Sequence, residues 1–267
     1  MDYDDVLDEG FEEYRKLFDL IHVPKEELTM NLSNPDNISG SNDYKMNLAL
    51  AAFDRNLIEE SYILVEMLSK EKDFSSNIEF IQLKAKVLSS KNMDKEAIII
   101  LEKLVEKLRP NIDTETNNLL AASIKREAFS DYAIYADENI LIDKLTKSKD
   151  IYYSIYQLNY DYYPALNYMY LVSMLSHINN DSPIQLEQNK KEFQNMWDNV
   201  NHVVNDWWSY ISEIEFLIIL EKYKFAKDKL KTHFEELENI EISDFNVSST
   251  IRQLKLYSNF YTSNDLK

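Results

Sequence analysis

Residues 76–110 read SNIEFIQLKAKVLSSKNMDKEAIIILEKLVEKLRP, and their spacing decides the fold. Two apolar runs of helical period stand here, near 76–91 and 94–109. Ala85 and Ala97 lie twelve residues apart, one in each run. A small side chain on each of two antiparallel helices lets their backbones approach closely. Large residues (Ile81, Leu88, Leu101, Leu104) then fill the space on either side. Ser76 with Glu79 fits a capping box at the start, and Pro110 closes the unit.

The same arrangement recurs on both sides. Upstream, NLALAAFDRNLIEESYILVEML (residues 47–68) places Ala49 and Ser61 twelve apart. Ala49 and Ala85 are themselves 36 residues apart. Downstream, ISEIEFLIILEKYKFAKDKLKTHFEEL (residues 211–237) offers Ala226 as the small residue of a second helix. These units resemble the tetratricopeptide repeat, which has a period of about 34 residues. That family places a small residue at its eighth position, another twelve later and a proline near its end. Pro110 comes one place late.

Composition points the same way. Two glycines and five prolines in 267 residues are too few for the many tight turns of sandwiches, barrels or dinucleotide-binding folds. The absence of cysteine excludes disulfides, thiolate metal sites and a cysteine nucleophile. The first residues, MDYDDVLDEGFEEY, are acidic and are no signal peptide, and no apolar run reaches membrane-spanning length. A cytoplasmic protein is therefore expected. The net charge of −18 repels phosphate backbones and anionic lipid, so neither nucleic acid nor membrane is expected as a partner.

Taken in order, residues 1–28 read as an acidic N-terminal helix or cap, and 29–42 as a flexible loop rich in Asn and Ser. A helical repeat domain is expected over 43–262 and a tail over 263–267. Within the domain, helices are expected near 43–55, 57–71, 76–91, 94–109, 114–129, 138–159, 164–179, 183–204, 206–221, 223–239 and 244–261. Residues 128–142 (AFSDYAIYADENILI) read as a long loop. Ser182 with Gln185 fits a second capping box, with Pro183 at the first helical position. Eight of the eighteen tyrosines fall between Asp150 and Tyr170. Tyr152, Tyr156 and Tyr160 form a stripe, and Asp161-Tyr162-Tyr163-Pro164 is the turn into the next helix.

The second half resembles a narrower family. Asp161-Tyr162-Tyr163-Pro164-Ala165 with Asn167, then Asp206-Trp207-Trp208, then Ser249-Thr250 with Arg252 and Leu254, are similar to the TRAFs-binding region of the apoptosis-signal-regulating MAP kinase kinase kinases and its bacterial relatives. The resemblance covers about residues 80–262. Ser148 stands where that family has Ala, and Ala165 where it usually has Gly. The resemblance implies the fold and a scaffolding role, with no catalytic domain beside the region; a bacterial signalling or defence assembly is the setting expected for such a scaffold.

No chemistry-bearing motif interrupts this reading. His22, His177, His202 and His233 include no pair three or four apart, so no metal site is expected. Gly-rich phosphate loops and hydrolase or zinc-protease signatures are missing from the sequence, and no enzyme activity or cofactor is expected. The expected fold is all-α, a right-handed solenoid of about five to six helical hairpins. Helices 43–55, 76–91, 114–129, 164–179 and 206–221 would line its concave groove. The expected partner is a protein or peptide, bound by Asn47, Lys84, Asn118, Lys125 and Asn167 with Trp207 and Trp208. Those two indoles lie about 100° apart on a helix, so one should be more buried than the other. A small signalling molecule or peptide held inside the solenoid is the other expectation. Aromatic-rich helices also make self-association an expectation.

Overall fold

The structure is a computed structural model that describes residues 40–201, 207–237, 246–252 and 254–255, together with Thr29, Leu32 and Ile38. The helix expected over 1–28, most of the 29–42 loop, the 263–267 tail, Asp206, His22 and His202 lie outside the described residues, as does the His233 side chain. Regular structure among the described residues is helical, apart from a single parallel bridge between Asp161 and Asn201. The all-α expectation is met. Among the described residues the helices run α1 (Asn42–Asp54), α2 (Ile58–Leu68), α3 (Ile78–Ser90), α4 (Asp94–Leu108), α5 (Thr114–Tyr135), α6 (Glu138–Asn159), α7 (Tyr162–Ile178), α8 (Pro183–Asp198), α9 (Trp207–Ile219) and α10 (Tyr223–Leu237), and residues 246–252 and 254–255 are helical too. A short 3-10 turn, Lys72–Ser76, precedes α3.

The described residues divide into two compact units, one reaching Ile100 and including 246–248, the other comprising 101–201, 207–237, 249–252 and 254–255. In the first, α1 packs on α2 and α2 on α3. Leu48, Phe53, Leu64, Val65, Leu68 and Phe80 form its core. Ala49 and Ser61, the expected small pair, are fully buried, and the Ser61 hydroxyl donates to the Ala49 carbonyl at 2.8 Å. In the second unit α5 packs on α6, α6 on α7, α7 on α8 and α9, and α9 on α10. The close contact recurs there: Ser148 donates to the Ala121 carbonyl at 2.8 Å, both residues fully buried. Trp197 stacks flat on Phe216 with centroids 4.4 Å apart.

A chain with two glycines must still make tight turns, and among the described residues four of them are alike. Asn56, Asn92, Asn180 and Glu221 take positive φ of 55–60° just past a helix end. The amide after each donates back across the helix end, Leu57 to Ala52, Met93 to Leu88, Asp181 to Ser176 and Lys222 to Leu217, at 2.8–2.9 Å. This is the Schellman closure, with asparagine in glycine's usual place at three of the four ends. Asparagine enters the left-handed region more readily than residues other than glycine.

Two local expectations are corrected. Asn77, not Ser76, caps α3: it is extended, and its Oδ1 accepts from the Phe80 amide at 2.8 Å, while Ser76 belongs to the 3-10 turn. Residues 130–135 are not a loop, because α5 runs on to Tyr135 and α6 starts at Glu138. Lys144 of α6 holds this extra length by bonding Asp131 at 2.6 Å and Glu127 at 2.8 Å. Ala136, left-handed at φ 52°, then ends the helix by donating to the Tyr132 carbonyl.

Candidate functional site

The second unit buries a set of polar groups that its helical core does not need for packing. On α5, Asn118 and Lys125 are seven residues apart, two turns along one face. Lys125 is 4% exposed, and its Nζ donates to Oδ1 of Asn167 on α7 at 2.7 Å. Asn167 in turn donates from Nδ2 to the Tyr163 carbonyl at 3.0 Å. The Lys125 ammonium also lies 5.6 Å from the centre of the Tyr170 ring, within cation–π range. Glu215 of α9 is buried as well, and the Asn118 Oδ1 is buried without a hydrogen-bond partner among the described residues.

Local sequence puts these groups inside. Glu215 sits four residues from both Ile211 and Ile219, and all three are buried on one stripe of α9. Lys125 lies between buried Ile124 and Ala128. Asn167 follows the α7 cap, where Asp161 accepts from the Tyr163 amide and Pro164 occupies a first-turn position that needs no amide donor.

Burial dominates the electrostatics. Loss of hydration pushes the Lys125 ammonium down to about 7, with Arg126 and Arg252 adding repulsion and Glu215 opposing it. The same desolvation pushes the Glu215 carboxyl up to about 7, against the pull of Lys125. The Tyr152 phenol is held well above its ordinary value, chiefly by burial. The cluster therefore combines a cation of adjustable charge, a carboxyl that holds its proton near neutral pH, and amide groups.

The expected contact residues are placed unequally. Lys125 and Asn167 are brought together, inside the unit. Trp207 is buried and its indole N–H donates to Thr250 Oγ1 at 3.1 Å, whereas Trp208 is only partly buried, as their angular separation predicts. Two of the quoted sequence motifs thus touch each other. Lys84 bridges α3 to α2, meeting Glu66 at 3.0 Å and Ser69 Oγ at 2.8 Å, and Asn47 is exposed. Glu215 was missing from the expected residues. Its signal was legible, a carboxylate inside ISEIEFLII at the spacing of buried isoleucines.

Residues 58–172 match the family model described as Tetratricopeptide Repeats-Sensor, a span that runs from the start of α2 into α7. The chain is tetratricopeptide-like. No curated protein and no solved structure matches it. The matched span of this tetratricopeptide-like chain contains Asn118, Lys125, Tyr152 and Asn167, while Glu215 and Arg252 lie beyond it. Among the described residues no group of His, Asp and Glu is placed to hold a metal ion, and no helix is long and apolar enough to cross a membrane.

Proposed function

We propose that this tetratricopeptide-like chain is a non-catalytic binding module of the sensor kind, in which the second unit takes up a small ligand bearing an acidic group. One observation carries the reading: a buried lysine ammonium, 2.7 Å from a side-chain amide, in a helical core where leucine would pack at less cost. The family description, which names a sensor, supports it. An acidic ligand would replace the Asn167 oxygen as acceptor, and Arg126 and Arg252 lie within electrostatic reach of the same ammonium. Asn118 brings an amide oxygen still open to a donor.

The test is a thermal melt of the full chain with a deproteinised cell extract, and with phosphate and acetate as simple probes. Ligand binding raises the melting temperature by mass action. The extract should stabilise the native chain and leave Lys125→Met unmoved, with helicity retained by circular dichroism. An equal shift in both proteins would sink the reading. An adaptor role for a protein or peptide, as the TRAFs-binding resemblance implies, is the second reading. Exposed Asn47 and partly exposed Trp208 favour it, because they leave amide and indole surface open to a partner. Capture of one partner that is lost on Trp208→Ala and kept on Lys125→Met would select it.

A further inference from the structure

The tyrosine stripe of α6 is core at one end and surface at the other. Tyr152 and Tyr156 are buried, but Tyr153 is 38% exposed and Tyr160 50%. The open rings are held in a connected set. Tyr153 lies 4.8 Å from Tyr168 of α7, their planes tilted by 33°, and 6.5 Å from Tyr156. Tyr156 meets Tyr160 edge-on at 5.4 Å. Tyr160 occupies the left-handed position that ends α6, and its carbonyl accepts from the Asn201 amide at 2.8 Å, which fixes the end of the row.

Two carboxylates border these rings. Partial burial pushes the Tyr168 phenol up first, and Tyr153, Glu192 and Asp150 push it further. Glu192, on α8, is exposed, and so is Asp150, one turn before Tyr153. Exposed Asp150 meets the half-buried neighbouring Lys149 at 3.1 Å, a contact on the surface side that a guanidinium can compete for. The whole chain carries −18, so a basic partner is attracted from a distance.

We propose that this tyrosine face docks an arginine-bearing segment of a protein partner, the guanidinium stacking on Tyr153 and Tyr168 and meeting the Asp150 and Glu192 carboxylates. Arginine fits better than lysine because its planar, weakly hydrated head stacks on a ring while its N–H groups reach carboxylates. The rings are already packed together, so little side-chain freedom is lost on docking. The surface shares no side chain with the Lys125–Asn167 pair, and its occupant is of opposite charge to the ligand proposed there.

The experiment titrates the full chain with a short Gly-Arg-Gly-Arg-Gly peptide and with its citrulline counterpart, read by calorimetry and by the tyrosine ring resonances. The arginine peptide should bind and shift the Tyr153 and Tyr168 rings, and the citrulline peptide should not. Tyr153→Leu should weaken binding by about fivefold, while Tyr153→Phe retains it. Asp150→Asn should weaken binding, and Asp228→Asn on α10 should leave it unchanged. Equal binding of citrulline, equal affinity in Tyr153→Leu, or equal losses from the two aspartate changes would each overturn the proposal. So would a homodimer in light scattering that Tyr153→Leu dissolves, since a second copy would then own the face. Lys125→Met should leave this titration unchanged, so the two readings fail separately.

Discussion

Burial moves Lys125 and Glu215 toward each other on the pH scale, and the consequence for stability has opposite signs for the two. Glu215 has a folded value raised from 4.5 to about 7. Below 4.5 it is protonated folded or unfolded and costs nothing. Between 4.5 and about 7 the unfolded carboxyl ionises while the folded one keeps its proton, so the penalty grows with pH and is complete above 7. Lys125 has a folded value lowered from 10.5 to about 7, so its penalty is absent above 10.5 and complete below 7. The pair therefore lowers stability most near neutrality. Glu215→Gln should raise the unfolding free energy relative to the native chain near pH 8, by of order 2 kcal/mol, and have little effect near pH 4. Urea melts at the two pH values check this, and a pH-independent difference would show that Glu215 is not desolvated. On the ligand-binding proposal, a core would retain such a cost because the buried groups serve the ligand.

At the scale of elements, small residues decide how near the helices come. Ser148 is fully buried, with its hydroxyl on the Ala121 carbonyl of the facing helix. Ser148→Ala should keep the approach and lose about 1 kcal/mol with the hydrogen bond. Ser148→Leu should force α5 and α6 apart and cost about 3 kcal/mol. Denaturant unfolding separates the two outcomes, and similar losses would mean that the approach is not set here. Ala49 with Ser61 was legible in sequence because twelve residues separate them. Ser148 with Ala121 was not, because the long α5 stretches the spacing to 27. The extension of α5 rests on Lys144 reaching Asp131 and Glu127, contacts between helices that no window of sequence displays. The Lys125–Asn167 bond, 42 residues apart, was hidden for the same reason, although both residues had been expected on partner-facing helices. Helix ends, by contrast, depend on neighbours in sequence, and Ser182 with Pro183 begins α8 as expected, its hydroxyl accepting from the Gln185 amide.

For the whole molecule, the repeated turn at Asn56 and Asn92 has a consequence for how the chain can change length. Both residues adopt the same left-handed geometry, at φ 57° and 60°, and each is followed by an apolar residue whose amide closes the preceding helix. The segment 57–92 therefore begins and ends at the same joint. A second copy inserted after Asn92 would meet Leu57 where the chain now meets Met93, with the same backbone angles and the same closing bond. Duplication should yield a folded chain with more helical ellipticity and the cooperative unfolding of the original. An insertion of equal length that ends within α3 should not. With asparagine as the hinge, unequal copying of one stretch of coding sequence lengthens the protein by a whole helical cassette and requires no new turn to be invented.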